Sequence, residues 1–258
     1  LPVAATPEEC HPHPAITPAR PYVAGVEYRG HAKRRSDWQA PLVPFEDIVD
    51  KRQSTRQHRE QDQRESRRVP LATLIETMRE ADAPVIYQAV CRSYDDWTGD
   101  RRSYLQTLRD DEDWLMDLIS QRSQEEKRAY QPPPEDQARI EAIRTRDPAR
   151  SLLLSARAVV LTRTDPPLAD SIARELTSVF GHVGTQFHEV RGHLRTDDDL
   201  HPANREPPGA QVFHDLVDRT VYPATYTGPR TRLPGVSTTS RGLVVCPPEL
   251  PNFCLLGG

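Results

Sequence analysis

The sequence predicts a mainly α protein, a single helical domain with long proline-rich extended arms at both ends, with α+β as the alternative. Three observations carry this expectation. Apolar residues through the middle of the chain recur at spacings of three and four, the period of an amphipathic helix. Several of these runs open on a proline, which a first helical turn tolerates because its missing N–H has no helical partner there. Eight of the 25 prolines fall in residues 1–45 and nine in residues 202–258, leaving eight for the 156 residues between.

The expected division is therefore an N-terminal arm over 1–45, a helical core domain over 46–201, and a C-terminal arm over 202–258 with one short helix. Proline fixes φ and removes a donor, so stretches such as Thr6 to Tyr22 and Cys246 to Pro251 read as extended segments that need another surface to lie on. Val23, Val26, Tyr28, Phe253 and Leu255 would be their anchors. The first core helix opens at Pro70 and carries Leu71, Leu74, Ile75 and Met78. Pro84 opens a second, with Ile86, Ala89, Val90 and Tyr94 on one side, broken near Thr98-Gly99. A longer helix from about Arg101 carries Leu105, Leu108, Leu115, Leu118 and Ile119 on a stripe. The acidic run Asp110 to Asp113 falls inside it and reads as its solvated face.

Pro134 starts the next helix, with Ile140 and Ile143 inward, ending before Asp147-Pro148. Leu152 to Leu161 is the most apolar run in the chain; it reads as a buried helix or a central strand, and helix is favoured. Asp165 before Pro166-Pro167 is a helix-start signature, followed by Leu168, Ile172, Leu176 and Val179 and terminated at Gly181. The short helix of the C-terminal arm runs from Ala210 to Arg219. The expected core is Leu105, Leu108, Leu115, Leu152, Leu153, Val160, Leu168, Ile172 and Leu176.

Composition limits the function. Only 36% of the 258 residues are hydrophobic and 6% aromatic, and the mean hydropathy is -0.70. No stretch approaches the ~20 apolar residues of a membrane span, and no basic-then-apolar leader opens the chain. A net charge of -4 excludes a general attraction to nucleic acid or membrane. Cys10, Cys91, Cys246 and Cys254 are too sparse for a disulfide scaffold and form no CxxC pair, which favours an intracellular, reducing compartment, or a virion surface. A start at Leu1 and an end at Leu255-Leu256-Gly257-Gly258 suggest a processed product or a piece of something longer. No phosphate loop, nucleophile elbow or dinucleotide fingerprint is present.

The sharpest local motif is Phe187-His188-Glu189-Val190-Arg191-Gly192-His193. It is one residue longer than HExxH, in which two histidines on one helical face hold zinc and the glutamate activates a bound water. At i and i+5 the histidines of a regular helix point about 140° apart, so they converge on one metal only across a local bulge. The string resembles the HExxGH signature of the dipeptidyl-peptidase family of zinc enzymes. That resemblance implies zinc held by His188 and His193, with Glu189 as catalytic general base and a third ligand unidentified. The competing reading packs Phe187, Val190 and Leu194 inward and leaves the histidines at the surface or bonded to backbone, on a helix or on an irregular or extended segment.

Residues 51–68 hold seven basic side chains against three acidic ones and almost nothing apolar. This Lys51 to Arg68 strap reads as a solvated helix or protein-contact segment, with nucleic-acid contact as the alternative. The expected function is that of a structural or interaction protein, a component of a large assembly such as a capsid-decorating or surface-protrusion protein. Its partners would be other protein subunits in an oligomer or shell, with no membrane and no cofactor. A zinc-dependent hydrolase built on His188, Glu189 and His193 is the first alternative. An RNA-contacting accessory protein is the second.

Overall fold

A computed structural model describes residues 20–49, 69–110, 131–197, 207–226 and 238–254. Leu115, Leu118, Ile119, Cys10, Leu255, the whole Lys51–Arg68 strap and the acidic residues 111–113 lie outside them. Within them the protein is α+β, built on a six-stranded antiparallel sheet. The expectation of a mainly α domain with extended arms is overturned. The segment from Tyr22 to Ala32, assigned above to an arm, is a central strand of the sheet.

The strands are β1 (Tyr22–Ala32), β2 (Val85–Ser93), β3 (Leu152–Thr162), β4 (His188–Thr196), β5 (Thr238–Ser240) and β6 (Leu243–Val245). Their order is β2-β3-β1-β4, with β5 beside β1 and β6 beside β3. Along most of their length β1 and β3 pair directly, from Tyr22 opposite Thr162 to Tyr28 opposite Ala156. Beyond that each takes a short partner: Gly30 to Ala32 pair with Ser240 to Thr238 of β5, and Leu152 to Leu154 pair with Val245 to Leu243 of β6. Between β5 and β6 only a glycine fits at Gly242, because a Cβ there would collide with the Tyr222 carbonyl 2.2 Å away.

Two runs expected as helices are strands for the same physical reason. Leu152 to Thr162 is apolar on both sides of the pleat because helices cover both faces of the sheet there, and burial on both faces erases the period-two alternation. The Pro84 segment, Val-Ile-Tyr-Gln-Ala-Val, is dense in β-branched and aromatic residues, which fit a pleated surface better than a helix.

Besides the helical residues 45–49, five helices lie wholly within the described residues: α1 (Pro70–Glu80), α2 (Thr98–Asp110), α3 (Pro134–Arg144), α4 (Pro166–Leu176) and α5 (Pro208–Val217). Four of the five carry proline at their first helical position. Asp165 caps α4 by accepting from the Leu168 N–H at 3.0 Å, worth about 1 kcal/mol. The order β1-α1-β2-β3-α4-β4 around this sheet is the split-βαβ connectivity, with α2 and α3 inserted between β2 and β3. No described helix is long and apolar enough to cross a membrane.

Alternation sorts the sheet into two faces. Ala24, Val26 and Tyr28 on β1 and Leu154, Ala156, Ala158 and Val160 on β3 join Leu71 and Leu74 of α1 and Ile172 and Leu176 of α4 in the main core. On the opposite face α5 packs Val212 against Val23 and Val159. A separate small core forms where Tyr104 and Leu108 of α2 meet Ile140 and Ile143 of α3, with Phe187 and Ala40. Leu250 and Phe253, assigned to the C-terminal arm, are buried in the main core, and Cys254 packs against it.

A buried ion pair ties these parts together. Arg146 and Glu249 meet at 3.0 Å, both almost fully enclosed. Arg146 also donates to the carbonyls of Trp38, Ala40 and Val244, while Glu249 accepts the N–H groups of Leu42 and Cys246. Every charged atom of the pair therefore has a partner, the condition under which buried charge is tolerated.

Candidate functional site

The segment holding His188, Glu189 and His193 is β4, so the histidine motif is read out with a period of two rather than 3.6. Residues five apart on a strand point to opposite faces. His188 enters the buried face opposite Ala32, where its Nε2 meets the Tyr226 hydroxyl at 2.9 Å. Burial first, and the Arg146 cation second, hold its imidazole down to about 3. His193 lies on the other face, opposite Glu27. Glu189 shares that outer face, opposite His31, and pairs with Arg191 at 2.6 Å. Phe187 and Val190 are buried, and Leu194 packs against the main core. The extended alternative of the sequence reading thus describes the segment, and His188 and His193 do not converge. Among the described residues no group of three or more His, Cys, Asp or Glu side chains could hold a metal ion.

The glycine that completes the HExxGH likeness has a packing role. A Cβ on Gly192 would lie 2.5 Å from the Thr177 Cα, and the Gly192 N–H donates to the Thr177 carbonyl at 3.1 Å. The chain after α4 thereby presses against the outer edge of β4. Thr185 adds a second bond, to the His188 carbonyl at 2.8 Å.

On the polar face of the sheet His193 meets a residue that the motif did not suggest. His31 and His193 stack with ring planes 8° apart, and their Nε2 atoms are 2.6 Å apart, one ring donating to the other. Burial and the His193 ring lower His31 to about 4; burial, then Arg29 and Arg195, lower His193. Beside them Glu27 pairs with Arg29 and Arg241 and lies 3.6 Å from Arg195. Burial pushes the Glu27 carboxyl up, but Arg241 and Arg29 together outweigh it and hold it below its ordinary value. Arg241 also reaches Asp215 at 3.0 Å and lies over the Tyr222 ring. The array is a closed charge network that locks the β5–β6 turn and the segment after α5 onto the sheet. It contains no nucleophile paired with a base.

Two other features remain open. The first is the outer edge of β2. The Leu161 N–H donates to Pro84, and the Tyr94 N–H donates to Ser151. Together with the β2–β3 register these bonds turn the backbone groups of Ile86, Gln88, Val90 and Arg92 toward β3. The backbone groups of Val85, Tyr87, Ala89, Cys91 and Ser93 point outward, with no hydrogen-bond partner among the described residues. The sequence carries no signal for this edge, because the apolar spacing after Pro84 predicts a helix.

The second is a cleft of about 400 Å³ between the loop after β1, α2 and the segment after α5. Trp38, Tyr94 and Tyr226 line it, with Arg35 and Asp100 at its rim. Comparison of the chain with protein families, with curated proteins and with solved structures finds no match.

Proposed function

We propose that the protein is a structural component of a larger protein assembly, joined to its neighbours by extension of its sheet across β2. The carrying observation is that edge: a nine-residue strand, Val85–Ser93, with five residues whose backbone groups face outward and have no partner among the described residues. An exposed strand edge is a template for pairing with another chain. Natural single-chain proteins blunt such edges with proline, lysine, bulges or a covering segment. The other long edge, β4, is blunted in this way by Thr177 and Thr185. β2 has no proline, glycine or lysine, and Ile86 is 38% exposed. A viral shell is one setting for such a component.

Cys91 supplies the test. It is exposed and its N–H is among the outward ones, so Cys91→Pro removes one outward donor and leaves the bonds to β3 in place. Native mass spectrometry of the parent is expected to give oligomers that Cys91→Pro shifts to single chains, with the thermal midpoint of the isolated chain little changed. Equal masses for the two proteins, or a parent that stays a single chain up to about 100 μM, roughly a hundred times above a micromolar dissociation constant, would remove the reading. A zinc hydrolase now lacks its geometric basis, since its two histidines lie on opposite faces of β4.

A further inference from the structure

We infer that the partner at the β2 edge is a second copy of this chain, its β2 paired antiparallel to the first about a two-fold axis through Gln88. The inference rests on the sheet-edge reading and names the partner which that reading leaves open. An isologous contact of this kind requires the strand to suit its own sequence reversed. The outward backbone groups belong to the odd-numbered residues, so odd-numbered positions of the two copies form the hydrogen-bonded pairs. An axis at Gln88 sets Val85 of each copy opposite Cys91 of the other, and Tyr87 opposite Ala89. Ser93 alone runs past the end of the partner strand, and the two sheets become one, with six strands from each copy.

Apolar exposure and charge select this partner and this register. Val85, Tyr87 and Ala89 pack against the main core, so alternation places Ile86, Gln88, Val90 and Arg92 on the other face of β2. The axis at Gln88 sets Ile86 of each copy against Val90 of the other, a β-branched cross-strand pair formed twice. Ile86 is 38% exposed and Val217 61%, two of the three large apolar side chains that stand exposed among the described residues. Gln88 Nε2 donates to the Leu216 carbonyl at 2.9 Å, which puts Val217 beside the centre of β2 and therefore beside the axis. Arg92 is the only charged residue of β2, and Asp82 stands in the bend before the strand. Both are exposed, and neither has an ion pair among the described residues. Within one chain they lie at opposite ends of the strand. Antiparallel pairing sets Arg92 of each copy opposite Pro84 of the other, with Asp82 two residues on and within reach of a long side chain. A parallel pair would instead bring like charges together.

The test is disulfide trapping between copies, in a Cys91→Ser background that serves as its own control. Gln88→Cys is treated with oxidised glutathione: the introduced thiols of two chains lose two protons and two electrons to form one disulfide, and the glutathione disulfide is reduced to two thiols. Opposed residues of a non-hydrogen-bonded pair have Cα atoms about 4.5 Å apart, within disulfide range. Linked dimers are expected as the main product. Ile86→Cys or Val90→Cys alone is expected to link at least about tenfold more slowly, because each lies roughly 13 Å along the strand from its own copy, whereas a mixture of the two should link readily. Gln88→Cys gives up the bond to Leu216, so a charge reversal that keeps Gln88 is the independent check. Arg92→Asp and Asp82→Arg are each expected to weaken the dimer about three- to tenfold, and the combined variant to restore it. No restoration, or Ile86→Cys linking as fast as Gln88→Cys, would overturn the inference. An assembly that Cys91→Pro breaks but Gln88→Cys does not trap would overturn the second copy and leave the edge reading standing. An assembly indifferent to Cys91→Pro would remove both.

Discussion

At the scale of single residues, His188 shows how position sets chemistry. The same imidazole that a helix would have offered to a metal is enclosed against Tyr226 and Arg146. Its ring stays neutral in the folded protein until about pH 3, whereas in the unfolded chain it takes up a proton near pH 6.5. The unfolded state therefore binds more protons below pH 6.5, and stability falls as pH is lowered. For His188 alone the loss is about 1.4 kcal/mol per pH unit, reached progressively below pH 6.5 and ending near the folded value. His31 and His193, also lowered, act in the same direction. Urea midpoints at pH 7, 6 and 5 are expected to decline, and to decline less steeply in His188→Gln, which keeps a donor and acceptor for Tyr226 but cannot titrate. A variant slope equal to that of the parent would remove His188 from this account.

At the scale of elements, glycine spacing separates packing from decoration. Gly192→Ala forces a Cβ into the Thr177 backbone, whereas a Cβ on Gly181 meets nothing within 4 Å. Gly192→Ala is expected to cost about 1–3 kcal/mol or more, as overpacking does, and Gly181→Ala under about 1. Denaturant unfolding of the two variants decides it; equal midpoints would mean that the edge of β4 yields freely.

The legibility of the elements follows the same logic. Helices α1, α3 and α4 could be read because an initial proline or Asp165 marks each start, whereas α5 was read from its apolar stripe alone and placed two residues late, at Ala210 rather than Pro208. β3 could not, because a strand covered on both faces has no alternation to distinguish it from a buried helix. In β1 a clean alternation of Val26 and Tyr28 with Glu27 and Arg29 was present, but Pro21 and the prolines before it drew the segment into an arm. The site was less legible still. Glu189 and His193 were singled out, yet His31 and Glu27 reach His193 only through strand pairing across more than 150 residues of sequence, and Arg241 joins them through Glu27. Trp38 in the cleft wall had no pattern at all, since a single 3-10 turn, Asp37–Gln39, places it.

At the scale of the whole molecule, the prolines do not mark detachable arms where the structure describes them. Tyr22–Ala32 and the short strands β5 and β6 complete the sheet, and Leu250 and Phe253 complete the core. Among the described residues the edge of β2 is left without a pairing strand. The two edges differ in a way that a crystal-independent method can read residue by residue, since outward and inward amides alternate along β2. Hydrogen exchange of the β2 amides, followed by NMR across a range of protein concentration, tests the central proposal most directly. The account predicts that the outward amides of Tyr87, Ala89 and Cys91 exchange fast in dilute protein. They should become as slow as the inward amides of Gln88 and Val90 once chains associate. Outward amides that stay fast at every concentration, while the protein nonetheless forms its native assembly, would contradict it.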